Sequence, residues 1–407
     1  MSRSCGALSH NFAMNSVSVA VAGAGIGGLA AALALSRADC TVRVLEQTHQ
    51  LAEVGAGVQL GANAVRVLDA LGLLPSLERV AAMPKHLRVY GASDCAALAH
   101  IELGERHRQR YGAPYLCLHR ADLHALLFDA ARHSGAVDLQ FGARVQQLSD
   151  LPEADAVVAA DGLWSALRAS VDTGGPAVQP TGHWAWRGMV ETARLPAFQR
   201  SDDVCVWLGP RLHGVRYPVR GGEWLNWVIV LQGDAQDRDH ALSQGDSRSW
   251  DLAPEPSQLA AALAACAPAL RDAVACVDGW RRWRLFDVPP VRGPHALARG
   301  RMALLGDAAH PMRPYLAQGA GMAIEDAWVL AQCLADQARG SVESRLARYA
   351  ALRWHRCAQV QARAQRNGQI FHAQGLVRWA RDVALRTLGP RLLDQPWLYA
   401  GGPVSRD

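Results

Sequence analysis

Three short stretches, far apart in the chain, carry the residue types that hold a phosphorylated nucleotide: Gly23-Ala24-Gly25-Ile26-Gly27-Gly28, Asp161-Gly162 and Gly306-Asp307. In the first, Gly23 permits a tight turn and Gly25 lets the backbone approach a pyrophosphate. Gly28 lets the following helix pack closely on a sheet. Ile26 falls among the cofactor-binding positions, and the helix N-terminus offers free N–H groups and a positive dipole end to the phosphates. An apolar strand, Thr41 to Leu45, then ends at Glu46, 18 residues past Gly28 (46 − 28), where a carboxylate accepts hydrogen bonds from a ribose diol. A bare Gly-x-Gly-x-x-Gly is common. Here a hydrophobic run (Val17 to Ala22) precedes it and a small-residue helix (Leu29 to Leu35) follows, so dinucleotide binding is the reading.

The third stretch suits a flavin better than a nicotinamide. Met302 to Gly306 reads as a buried strand with Asp307 at its end, where an acid holds a ribityl hydroxyl. Gly319-Ala320-Gly321 opens a second helix, Met322 to Leu334, whose N-terminus faces whatever Asp307 holds. Such a terminus suits the pyrimidine edge of an isoalloxazine, where negative charge accumulates on reduction. The plainer alternatives are Asp307 as a turn residue and Asp161 as a cap for the segment beginning near Leu163.

These residues need elements to position them. The strand–helix–strand unit at the start makes the fold class α/β, with a Rossmann-type nucleotide-binding domain. Leu87 to Ile101 reads as two strands around Gly91, His119 to His133 as a helix entered at Arg120, and Ala156 to Ala160 as a buried strand. From about Pro176 to Val291 short strands such as Val204 to Leu208 and Trp224 to Leu231 are punctuated by Gly-Pro and Gly-Gly. That pattern predicts an inserted, mostly antiparallel sheet forming a roof over the substrate. The expected division is 1–16 as a flexible extension, 17–175 with 297–340 as the nucleotide domain, 176–296 as the inserted sheet and 341–407 as helices. The helices should break at Gly368, Gly375 and Gly389-Pro390. Leu346, Tyr349, Ala350 and Leu352 form an apolar stripe there, with the arginines between Arg339 and Arg391 as a solvated face.

At 407 residues, half of them apolar and 19% charged, the chain can bury a full core and reads as globular. No apolar run approaches bilayer length, and the first 16 residues lack a signal-peptide core. Nine cysteines without a Cys-x-x-Cys read as free thiols in a reducing cytoplasm. The net charge of +5 is small, and basic residues are mixed with apolar ones, which argues against a nucleic-acid surface. No His, Cys and carboxylate cluster has metal-ligand spacing.

Taken in order, the 23–28 fingerprint, Ala159-Ala160-Asp161-Gly162 and Gly306-Asp307-Ala308-Ala309-His310-Pro311 resemble the single-component FAD-dependent aromatic hydroxylases. These are the flavoprotein monooxygenases that include p-hydroxybenzoate hydroxylase. Gly55-Ala56-Gly57-Val58-Gln59, Leu118-His119-Arg120-Ala121-Asp122-Leu123 and Tyr315-Leu316-Ala317-Gln318-Gly319-Ala320 resemble the salicylate hydroxylase, 3-hydroxybenzoate 6-hydroxylase and 6-hydroxynicotinate 3-monooxygenase branch. The likeness runs from about Val17 to Asn367. It implies a p-hydroxybenzoate-hydroxylase-like fold, FAD as cofactor, NADH or NADPH as cosubstrate, O2, a small phenolic acid as substrate, and the homodimer usual in the family. It also implies the reaction: a nicotinamide reduces the flavin, O2 forms a C4a-hydroperoxide, and its distal oxygen passes to an electron-rich ring. A flavin oxidase or dehydrogenase without oxygen insertion, and a non-catalytic flavin-binding protein, are the alternatives.

The resemblance also distributes roles. Arg120 resembles the family arginine that reaches the FAD pyrophosphate, and Val58 falls among the cofactor-binding positions. Pro314 occupies the place where a proline backbone meets flavin and substrate. His213, in His213-Gly214-Val215-Arg216-Tyr217-Pro218-Val219, is the candidate base that deprotonates the phenol, with Tyr217 beside it. Residues 213, 215, 217 and 219 share one strand face. Gln59 stands where the 6-hydroxynicotinate enzymes have histidine, which favours a hydroxybenzoate-like ring. Arg313 offers charge to a carboxylate or faces solvent. His310 reads as a structural tie. Trp184-Ala185-Trp186 is superficially similar to the tryptophan motif of flavin-dependent halogenases, but Arg187-Gly188 does not continue it.

Overall fold

A computed structural model describes residues 16–50, 56–233, 251–252 and 256–403, so nearly all of the expected N-terminal extension, and Gly55, lie outside the described residues. Six strands form the first sheet, in the order Ala298–Arg299, Met302–Leu304, Ala156–Ala159, Ser18–Ala22, Thr41–Glu46, Val137–Phe141. Every neighbouring pair is parallel except the first. Ala22, Ala159 and Leu304 are register partners, so the three motif loops leave the sheet side by side. That is the carboxyl edge where open α/β sheets bind ligands. Gly23 turns the chain there at φ +100°, and a Cβ on it would lie 2.5 Å from Ala160 O. The helix Ile26–Ser36 then packs so tightly that a Cβ on Gly28 would sit 1.9 Å from Gly23 O.

The second sheet has eight strands, in the order Asp251–Leu252, Asp278–Asp287, Gln179–Glu191, Trp224–Gln232, Leu212–Val219, Val204–Gly209, His86–Gly91, Ala97–Glu102. It is antiparallel except where His86–Gly91 runs parallel to Val204–Gly209. It is therefore larger than the 176–296 insertion expected from sequence, because the early hairpin joins it. The reason is burial: Val89 and Leu98 pack with Leu208 and Leu385 rather than with the parallel sheet. The outer face is covered by Trp186, Trp207, Trp227, Ile229 and the helix Pro268–Ala275.

The C-terminal helices depart from expectation in two ways. Val342–Phe371 runs unbroken through Gly368, and Gly375–Leu393 runs through Gly389 and Pro390. Those glycines serve close approach: a Cβ on Gly368 would lie 2.7 Å from Tyr315 Cε2, and one on Gly389 2.6 Å from Ala99 Cβ. The apolar stripe follows Leu346, Tyr349, Ala350, Arg353, Cys357 and Val360, all buried, whereas Leu352 is exposed. Helical spacing carries the stripe to position 353 rather than 352. Arg345, Arg353 and Arg381 are accordingly buried and not part of a solvated face.

Candidate active site

The three loops and the inner face of the second sheet enclose a cavity of about 290 Å³. Two helix N-termini face it, through Gly25, Ile26 and Gly27 on one side and Gln318, Gly319 and Ala320 on the other. Neither helix has a side-chain cap, so first-turn N–H groups remain for a ligand. A Cβ built on Gly25, Gly162 or Gly319 would meet nothing within 4 Å, although all three line the cavity. Bare backbone, two positive helix ends, Arg120 and Asp307 together fit an anionic dinucleotide that carries a flavin.

The turn that presents Asp307 is held by buried charges. Asp326 Oδ2 accepts from Gly306 N at 3.1 Å and His310 Nε2 at 2.5 Å, while its Oδ1 accepts from Arg353 Nε at 2.6 Å. Arg353 also donates to Glu325 Oε2 at 2.7 Å. Burial alone would raise the Asp326 carboxyl, but the charges of His310 and Arg353 outweigh it and hold it below the usual range. For His310, burial would lower the pKa, and Cys357 and Asp326 raise it well above the ordinary value. His310, Asp326 and Cys357 place ligand-type atoms within 4.8 Å of one another. With Asp326 saturated by N–H donors and Arg353 in contact, the group is an ion-pair node rather than a metal centre. Arg168 ties the second loop to this turn, donating to Ala308 O at 2.7 Å, Leu163 O at 2.8 Å and Asp307 O at 2.9 Å.

Opposite the loops, the roof presents registered rows. Arg187 pairs with Val228 and Val228 with Val215; one step along, Ala185 pairs with Val230 and Val230 with His213. Arg187, Val215, Val228, Val230, His213 and Tyr217 all line the cavity. Strand alternation puts these side chains inward while Trp186, Trp227 and Ile229 face the outer core. The result is a patch of three valines with polar groups at its rim. Tyr217 lies against Gly57, where a Cβ would come 2.5 Å from its ring, and Asn226 Oδ1 accepts from Gly57 N at 2.8 Å.

Behind this wall His213 Nδ1 lies 2.8 Å from His372 Nε2. The His372 ring stacks on His183, whose Nδ1 meets the Tyr315 hydroxyl. Burial is the main cause that pushes His213 down to about 3 and His372 to about 2. Both rings are neutral. With Nδ1 engaged, Nε2 is the His213 nitrogen left for the cavity.

Of the residues expected at the site, Gly25, Ile26, Val58, Gln59, Arg120, Gly162, His213, Tyr217, Asp307, Pro314, Gly319 and Ala320 line this one cavity. Gly23 and Gly28 shape the turn beneath it. Glu46 stands outside the lining: its Oε2 accepts from Ala24 N at 2.8 Å and Oε1 from Thr48 N at 2.9 Å, so it braces the glycine turn. Asp161 takes the capping role, accepting from Ala166 N at 2.9 Å and Leu167 N at 3.4 Å. Arg313 does not reach the cavity as a substrate ligand would; it donates to Asp287 Oδ2 at 2.5 Å, an acid that already satisfies its charge. Gln59 lines the cavity while its Oε1 accepts from the Tyr115 hydroxyl at 2.9 Å. Two residues escaped the sequence reading, Arg187 and His372. The signal for Arg187 was a cation within the run from Trp184 to Val190, which is otherwise free of polar side chains; His372 had none.

A family model described as an FAD binding domain matches residues 16–364, and the chain belongs to that family of flavoprotein monooxygenases, with FAD as cofactor. It is 38% identical over 399 residues to a 3-amino-4-hydroxybenzoate 2-monooxygenase of Streptomyces platensis, covering 94% of this chain and 95% of the other. It is 33% identical over 380 residues to a 3-hydroxybenzoate 6-hydroxylase of Klebsiella oxytoca, covering 89% and 91%. The structure of Klebsiella pneumoniae HpxO with FAD and uric acid matches at a TM-score of 0.79 and 26% identity, covering 94% and 96%. Among the described residues no helix is long and apolar enough to cross a membrane.

Proposed function

We propose that this FAD-dependent monooxygenase hydroxylates a small aromatic acid bearing a ring hydroxyl, with NADH or NADPH as reductant and O2 as oxygen source. The observation that carries the reading is the valine patch with His213 at its rim, set across one cavity from the bare-backbone loops and helix ends. FAD, when bound, supplies the oxygen-transfer chemistry. Val215, Val228 and Val230 take the ring face and keep water away from it. His213 Nε2 accepts the phenolic proton, and its Nδ1–H then donates to His372 Nε2. The depressed imidazole is a weak base in isolation; the phenolate formed beside it favours the imidazolium and raises its proton affinity in the complex. Relatives named for hydroxybenzoate substrates support the substrate class. The eight described cysteines, all free and six of them buried, support a reducing cytoplasm.

The test is a panel of hydroxybenzoates, hydroxynicotinate and larger phenols, scored by stimulated NADH and NADPH oxidation and by oxygen-18 incorporated from labelled O2. Stimulation with label in the product is expected. Stimulation without label points to an oxidase, and no stimulation by any aromatic acid removes the reading.

A further inference from the structure

We infer that Arg187 is the anion-recognising residue of the cavity, taking the carboxylate of the aromatic substrate on the side of the valine patch away from His213. The inference rests on the proposed function and deepens it, because it states which acids fit. Arg187 sits mid-strand in Gln179–Glu191 and lines the cavity. Its Nε is buried without a hydrogen-bond partner, and among the described residues no carboxylate pairs with it. Burial pushes its pKa down, and nearby Arg120 adds like charge. A guanidinium nonetheless keeps its proton. The side chain is half-buried in the cavity wall with its Nε fully covered, and a partly desolvated cation without a counter-ion is costly, so this position calls for an anion supplied from outside the chain.

Geometry selects the form of that anion. The guanidinium carbon lies 4.8 Å from the centre of the Trp283 ring. Stacking on a ring face leaves the in-plane N–H groups pointing outward, the arrangement that grips a carboxylate through two parallel bonds. Across the roof, Arg187 and Val215 are separated by the intervening strand of Val228, and His213 is one same-face step from Val215. Strand spacing and rise put the Arg187 and His213 backbones about 12 Å apart. Two side chains with a six-membered ring between them fill that span. The fitting substrate therefore carries its carboxylate and its hydroxyl on different edges of the ring, with the ring face on the valines.

The test uses the FAD-loaded enzyme and needs no turnover. 3-Hydroxybenzoate and 4-hydroxybenzoate, and the corresponding hydroxybenzamides, are titrated against the flavin absorbance spectrum. In the unmodified protein at least one acid should bind about thirtyfold or more tightly than its amide, the scale of a desolvated charge pair. Arg187→Met should erase that preference by weakening the acid alone, and Arg187→Lys should keep part of it, both with FAD retained. Equal binding of acid and amide by the unmodified protein overturns the assignment, even if no variant folds. Equal loss of both ligands in Arg187→Met, or loss of FAD itself, also overturns it, because Arg187 would then serve packing or the cofactor. Equal binding of acid and amide would leave the monooxygenase reading standing, because that reading is decided by oxygen-18 in the product.

Discussion

His213 and His372, 159 residues apart in the chain, meet through Nδ1 and Nε2 at 2.8 Å behind the cavity wall. The candidate base is therefore oriented by a neutral imidazole, where a carboxylate partner would have raised its basicity. The arrangement keeps His213 unprotonated and ready to accept, and leaves the thermodynamic pull to the substrate anion.

Removing the imidazole in His213→Ala should slow hydroxylation by about 10²- to 10⁴-fold and increase peroxide release, with FAD still bound. Product formed per NAD(P)H consumed measures this. Unchanged coupling and rate in that variant would refute the role as base.

The buried histidines predict an acid-side loss of stability. His213 is held at about 3, His372 at about 2 and His107 at about 4, against an ordinary value of 6.5. Below 6.5 the unfolded chain binds protons that the native rings refuse, so stability is full above that value and falls as pH drops toward the folded values. Each histidine adds a slope of about 1.4 kcal/mol per pH unit. Denaturant unfolding between pH 7 and pH 5 should show the slope, and His107→Phe should reduce it by about a third. A flat profile in the parent protein contradicts the burial of these rings as neutral groups.

Two glycines of the fingerprint should respond oppositely to one methyl group. Gly25 has an ordinary φ of −68° and open space at its Cβ position, so Gly25→Ala should fold with a normal apo-protein Tm yet bind FAD weakly. Gly28→Ala would drive a Cβ to 1.9 Å from Gly23 O and should cost about 1–3 kcal/mol or more in stability. Thermal melts of apo protein and fluorescence titration with FAD separate the two outcomes.

Asp326→Asn should leave Arg353 buried without its full counter-charge, a loss of about 3–5 kcal/mol. Asparagine keeps one carbonyl oxygen, so it cannot serve both Arg353 on one side and Gly306 N with His310 on the other, and FAD should dissociate faster as the Asp307 turn loosens. Stopped-flow release of flavin and a melt of the apo form check both parts. A large stability loss with unaltered release would show that the node supports the core but not the turn.

Much of this arrangement was legible because local chemistry announces it. The 23–28 turn needs glycine at specified points, the Asp307 strand end is preceded by a buried run, and alternation alone puts His213 and Tyr217 on one face. Residues defined by distant partners were not legible. Arg313 reads as available until Asp287, 26 positions earlier, takes it up. Gly368 and Gly389 read as helix breaks because nothing nearby in sequence reveals Tyr315 or Ala99 pressed against them. Arg187 needed the register of three strands before its place opposite His213 could be seen.

The early hairpin constrains modular engineering of the roof. Because His86–Gly91 is the parallel neighbour of Val204–Gly209, residues 176–296 cannot be lifted out and transplanted as a cassette. Excision would strip the hairpin from one margin and bare a row of backbone donors and acceptors, inviting self-association. Chimeras that exchange substrate preference between relatives must therefore move 86–102 together with the later strands.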